Sequence, residues 1–243
     1  FFLTAAMGAL CLIVYVIKSR KRHDALLNLS VLRCPRYTAA FIADGITIIA
    51  MYMVTFVMPL FLQNALHLSP MLTGSIMLPG ALCTIIAMPI AGVISTKLGE
   101  RPLAVLGVLS LVIGAFPFLR MTPAIPILFV MLGMCVRSVG VGFMNLLTTN
   151  AQMSAVPPEL SGHASALTNW MRQMVGALIT SIASNIVGLR LARAAAVTAE
   201  ETSWAYTSTT SFLMTISVLL TLVILPIAFK YFQGRPKPVQ AQG

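Results

Sequence analysis

Apolar runs of seventeen or more residues recur seven times along this chain, and charged residues fall mostly between them. A helix needs about 20 mainly apolar residues to cross the hydrocarbon core of a bilayer. Inside that core every backbone polar group must be satisfied internally, which leaves the helix as the structure for runs of this length. The runs cover about Phe1–Ile17, Tyr37–Leu62, Met71–Ser95, Leu103–Leu119, Ile125–Leu147, Gly162–Leu189 and Thr207–Phe229. They predict an all-α, polytopic membrane helix bundle of about seven transmembrane helices.

Composition agrees with that reading and narrows the functions. Only 9% of the residues are charged and 58% are hydrophobic, whereas a soluble domain carries about a quarter charged residues. The net charge of +10 would suggest nucleic acid in a soluble protein. Here the basic residues gather between apolar runs, as membrane topology requires, so no nucleic-acid partner is expected. The partner is the lipid bilayer. No nucleophile, base or metal cluster stands out, so the chain is not read as an enzyme, and no cofactor or metal is implied. Cys11, Cys34, Cys83 and Cys135 lack metal-ligand spacing and read as small packing residues.

Charge sets an orientation. Lys18, Arg20, Lys21, Arg22, Arg33, Arg36, Lys97, Arg101, Lys230, Arg235 and Lys237 fall on one side, and Arg120, Arg190 and Arg193 on the other. Positive residues mark the cytoplasmic side, so the C-terminus is expected to be cytoplasmic. The cluster Lys18–Arg22 suits a topology anchor or anionic lipid headgroups. Residues 25–33 are too short to span and are amphipathic as a helix, which suits the membrane surface. The chain begins inside an apolar run without the basic start of a signal peptide, and it reads as part of a longer protein.

Two arginines and one aspartate lie inside the runs. Arg137 interrupts Val130–Asn145, and a guanidinium in hydrocarbon costs at least about 2.5 kcal/mol. Such a residue pins helices together or stands beside a water-filled pathway. Gly140 and Gly142 follow it and permit close helix approach. Pro79 and Pro89 predict kinks in the third run, because proline removes an internal hydrogen bond. Asp44 is the one carboxylate inside a spanning run, about 10 Å from its start at 1.5 Å rise per residue. Arg137 and Arg172 come out about 15 and 14 Å deep on the same basis.

Several stretches, in order, resemble the major facilitator superfamily, and more narrowly the C-terminal half of its fourteen-helix drug:proton antiporters. Residues 25–33 resemble the entry into the second bundle. Leu60-Phe-Leu-Gln63, Ser69-Pro70, Gly74 and Leu78-Pro79-Gly80 are similar to its first hairpin. Gly92-Val-Ile-Ser-Thr-Lys-Leu-Gly-Glu-Arg101 resembles the conserved cytoplasmic loop Gly-x-x-x-Asp-Arg-x-Gly-Arg-Arg. It departs from that pattern at Thr96, Lys97 and Glu100. Leu132, Arg137, Gly140 and Gly142 are similar to the fourth-helix arginine motif, without its usual Gln. Residues 162–177, including Gly176, resemble the fifth helix of the second bundle.

The resemblance implies a division into three parts. Residues 1–36 would be the last central extra helix, the basic linker and an interfacial helix. Residues 37–232 would be the C-terminal six-helix bundle, and 233–243 a cytoplasmic tail. It further implies a multi-pass protein of the plasma (inner) membrane, exporting drugs or other small amphipathic compounds in exchange for protons. The missing N-terminal half and a small-molecule substrate would be its partners.

In that family the first and fourth helices of each bundle line the cavity. This suggests an Asp44–Arg137 pair, direct or through water, with Arg172 as a third member of the coupling set. Gly92, Lys97, Gly99 and Arg101 would form the conformational loop, and Pro79, Gly80, Gly140, Gly142 and Gly176 the packing positions. Tyr52, Phe56 and Phe143 would suit a cavity for apolar cations. A fixed, purely structural Asp44–Arg137 pair is the competing possibility. Export of a specific metabolite, or a seven-helix membrane protein that does not transport, are the alternative functions.

Overall fold

A computed structural model of the chain describes residues 29–119, 121–122, 125–194 and 199–232. The first apolar run, the Lys18–Arg22 cluster, Arg120 and the tail from 233 lie outside the described residues. Among the described residues the fold is helical. After a 3₁₀ turn at Leu29–Arg33 come α1 (Pro35–Asn64), α2 (Pro70–Leu98), α3 (Glu100–Ala115), α4 (Ile127–Met153), α5 (Ser161–Ala194), α6 (Ala199–Leu222) and α7 (Ile224–Tyr231). Six helical stretches there are long and apolar enough to cross a membrane.

Each boundary has a local cause. Ser69 caps α2 by accepting from Leu72 N at 3.3 Å, and Pro70 occupies the first helical turn, where its missing N–H costs nothing. The expected charged loop after α2 shrinks to one residue. Gly99 takes φ 92°, a left-handed value that a side chain resists. Lys97 then closes α2 and Glu100 opens α3, each at the helix end that favours its charge. The last apolar run, expected as one helix, is divided. Val223 is a turn between α6 and α7, because the Pro226 ring clashes with the carbonyl four residues earlier, that of Leu222.

Three helices outrun their apolar limits by five residues or more, among them α6, which starts at Ala199 rather than Thr207. α4 continues six residues past Leu147, to Met153. α5 runs through Arg190, whose guanidinium lies 4.1 Å from the Phe212 ring centroid. That cation–π contact extends the helix where polarity suggested a loop.

α4 is the central post, packed mainly on α2 and α3 and also on α1. Glycines allow the close crossings. A Cβ at Gly140 would lie 2.7 Å from the Gly107 carbonyl, and one at Gly142 would lie 2.8 Å from Ala87 Cβ. One at Gly114 would strike the backbone of Arg137. A Cβ at Gly80 would lie 3.1 Å from Ser138 Oγ, and one at Gly176 would lie 2.7 Å from the Tyr52 ring. Cys83 on α2 and Cys135 on α4 are neighbouring free thiols. α2 and α5 are the least covered spans, with 22% and 11% of their apolar windows buried, so each keeps a long face open.

Candidate functional site: a polar layer and an unneutralised arginine

The carboxylate of Asp44 is fully buried on α1. Arg172 on α5 grips it with two bonds, Nε to Oδ2 at 2.8 Å and Nη2 to Oδ1 at 2.9 Å. Thr148 on α4 donates to Oδ1 at 2.8 Å. The same Arg172 Nη2 also reaches Thr149 Oγ1 at 3.1 Å. Bidentate guanidinium–carboxylate contacts combine charge with fixed geometry. Three helices are therefore joined at one carboxylate.

A second set of contacts continues this layer toward the start of α1. The Tyr37 hydroxyl donates to the Ala164 carbonyl at 3.0 Å and lies 3.2 Å from Thr168 Oγ1. Thr168 donates in turn to the Gln152 side-chain oxygen. The Gln152 amide nitrogen points to the Ala40 carbonyl at 3.5 Å. Tyr37, Gln152 and Thr168 are all buried, and buried polar groups of this kind stabilise only when each finds a partner. Just beyond, Arg36 binds Glu100 at 2.8 and 3.0 Å. Arg101 Nε donates to the Phe232 carbonyl at 2.5 Å.

Arg137 sits elsewhere. It is 3% exposed, and its Nη2 donates to the Ala50 carbonyl at 2.5 Å. Its Nη1 is buried without a hydrogen-bond partner. The expected Asp44–Arg137 pair is thus not formed, and Arg172 takes that place. The reason is the length of α4. With its end at Met153, Arg137 is sixteen residues from that end, about 24 Å at 1.5 Å per residue. From the starts of α1 and α5, Asp44 is about 14 Å deep and Arg172 about 17 Å, so they are level. Ala50, about 22 Å along α1, is level with Arg137.

The open face of α1 carries Gly45, Ile49, Tyr52, Thr55, Phe56 and Pro59, none of them buried. It is flanked by two clefts. One, of about 680 Å³, lies between α1 and α5 and is lined by Tyr52, Phe56, Gln173, Gly176, Thr180 and Ser184. The other, of about 620 Å³, lies among α1, α2 and α4 and includes Arg137. Phe143 faces neither cleft. It is 8% exposed and packs within the hydrophobic core, so it is removed from the expected cavity set.

α5 contributes a feature that the apolar-run reading passed over. Ser165, Asn169, Gln173, Ala177, Ser181 and Asn185 recur every fourth residue, and all are exposed. Neighbours four apart adjoin on the helix surface, but each step drifts about 40°, so this ridge, polar except at Ala177, winds partly around α5. Polar side chains are costly against hydrocarbon, so this line faces water or protein. The spacing was present in the sequence as a signal. Thr148, Thr149 and Gln152 were missed for a different reason, because they lie beyond the apolar limit of α4. Of the loop residues, Lys97 is exposed, and a Cβ at Gly92 would meet only Leu146 at an ordinary 3.8 Å.

Comparison with known proteins settles the family. The model of the Major Facilitator Superfamily matches residues 1–181. The chain belongs to the Major Facilitator Superfamily. It is 28% identical over 183 residues to the uncharacterized MFS-type transporter YhcA of Bacillus subtilis, covering 75% of this chain and 34% of that protein. The lincomycin resistance protein LmrB of Listeria innocua is 25% identical over 181 residues, covering 74% and 38% respectively. A multidrug resistance protein B homolog of Mycobacterium tuberculosis is 28% identical over 131 residues, covering 52% and 24%. The chain therefore spans well under half the length of these curated relatives.

Proposed function

We propose that this chain forms the C-terminal bundle of a proton-coupled exporter of drugs or other small amphipathic compounds. The supporting observation is the Asp44 carboxylate, fully buried in a spanning helix and held by Arg172 and Thr148. Separation of α1 from α5 would break the Asp44–Arg172 ion pair and open the carboxylate to proton exchange, and this is what proton coupling requires. Gln173, in the polar ridge of α5, lines the cleft with Tyr52 and Phe56.

The two relatives whose names refer to drug or lincomycin resistance are consistent with export of such compounds. Alternating access rocks two halves around a midplane site, and the open faces of α1, α2 and α5 suit contact with a second bundle. Gly92, Lys97, Gly99 and Arg101 would act at the hinge between α2 and α3. There Glu100 joins Arg36 where the family pattern has an arginine. In this reading the Arg36 end is cytoplasmic and the membrane is the plasma membrane. The test is dye efflux from cells or vesicles carrying the full polypeptide that contains residues 1–243, with and without a proton gradient. Efflux that ignores the gradient would reject antiport.

A further inference from the structure

We infer that the cleft among α1, α2 and α4 binds an amphipathic ligand through a carboxylate or other oxyanion, which Arg137 receives. This names the ligand chemistry of the transport reading and rests on it for onward movement, though not for binding.

A guanidinium carries five N–H donors in a rigid fork and is always charged. Arg137 gives one hydrogen bond, to the Ala50 carbonyl, and Nη1 gives none. A neutral carbonyl cannot compensate a buried charge. Asp44 is occupied by Arg172, and Arg137 has no salt bridge among the described residues. Asp44, Arg137 and Arg172 together leave one positive charge inside the bundle. Buried charges are ordinarily paired, so the partner of Arg137 is to be sought in whatever enters the cleft.

The cleft fits a small amphiphile. Its volume of about 620 Å³ lies in the usual range for small-molecule sites. Met51, Met77, Leu78 and Ile85 offer an apolar wall, while Ser138 and Asn145 add polar groups to the lining. Methionine adapts to varied apolar shapes. Thr84 Oγ1 lies 3.4 Å from the Ser138 carbonyl, which ties the α2 and α4 walls together. A cationic headgroup would meet the guanidinium with like charge, so this cleft selects against the apolar cations that Tyr52 and Phe56 suggested. Those two rings line the other cleft.

The experiment measures binding of three matched probes, a dansyl-aminohexanoic acid, its methyl ester and the corresponding amine. The protein is the full polypeptide containing this chain, in phosphatidylcholine nanodiscs. The acid should bind at least tenfold tighter than the ester, and the amine no better than the ester. Arg137→Gln should bring acid and ester within twofold while leaving ester affinity unchanged. Arg137→Lys should retain at least a threefold preference for the acid. Equal binding of acid and ester by the parent protein, or a tenfold preference that survives Arg137→Gln, would overturn the site. Should Arg137→Gln not fold, Arg137→Met decides by the same criterion: a tenfold acid preference that survives it would overturn the site. Gradient-independent efflux with an intact acid preference would sink the coupling reading and leave this site standing.

Discussion

Arg172 and Arg137 are both guanidiniums inside spanning helices, yet the bundle treats them in opposite ways. Arg172 has a carboxylate in bidentate contact and a threonine hydroxyl beside it. Arg137 is more deeply buried and has one carbonyl. Around Arg172 the helices α1, α4 and α5 are joined by a closed set of hydrogen bonds. Around Arg137 an open cleft replaces the missing counter-charge. A charge with a complete set of partners holds helices in register. One with a partner missing, beside a cavity, is better placed to meet a ligand.

The contrast is broken most directly by removing one side of each arrangement. Asp44→Ala leaves Arg172 without its carboxylate, and breaking a buried pair costs about 3–5 kcal/mol. A large fall in the thermal midpoint of the detergent-solubilised protein should follow, and Asp44→Arg with Arg172→Asp should recover part of it. Next in size, Gly140→Val forces a side chain into the Gly107 carbonyl and Leu111. Overpacking of this kind costs about 1–3 kcal/mol. Because α3 and α4 cross there, it should also disturb the position of Arg137 and so weaken binding of the acid probe.

Two smaller effects sharpen the comparison. Arg137→Met removes an unneutralised buried cation and substitutes an apolar side chain, an exchange often neutral or stabilising. The thermal midpoint should change by no more than the equivalent of about 1 kcal/mol in the unfavourable direction. A loss as large as that of Asp44→Ala would show Arg137 to be a structural pin. Smallest of all, Glu100→Gln should cost at most about 1 kcal/mol, as partly exposed ion pairs do. The Arg36 and Glu100 side chains are 27% and 16% exposed. The effect should shrink further in high salt.

Which parts of this were legible in the sequence follows from what hydropathy measures. Apolar length located the spans because lipid exposure is a property of composition. It placed Asp44 within α1, and it marked Gly140 and Gly142 as positions of close approach. It misjudged helix ends, because hydrogen bonds rather than hydropathy extend a helix. Thr148, Thr149 and Gln152 lie on α4 past Leu147, and counting from the true end at Met153 puts Arg137 well beyond the level of Asp44. The partnership of Tyr37 with Thr168 and Gln152 could not be read from spacing, because Tyr37 lies more than a hundred positions from both. The every-fourth line on α5 could have been read, since it depends only on periodicity. A scan for polar recurrence within apolar runs would have found it.

The central claim is that Asp44 changes protonation during transport rather than only binding α1 to α5. It is tested by dye efflux from vesicles carrying the full polypeptide, driven by an imposed proton gradient, for the parent protein and for Asp44→Asn. Asparagine keeps the shape of the side chain and one acceptor oxygen, which can still receive Thr148 and Arg172 Nη2 in place of Oδ1, but it cannot titrate. The account predicts that gradient-driven efflux falls at least tenfold in Asp44→Asn while downhill dye equilibration continues. Gradient-driven efflux at the parent rate in that variant would contradict it.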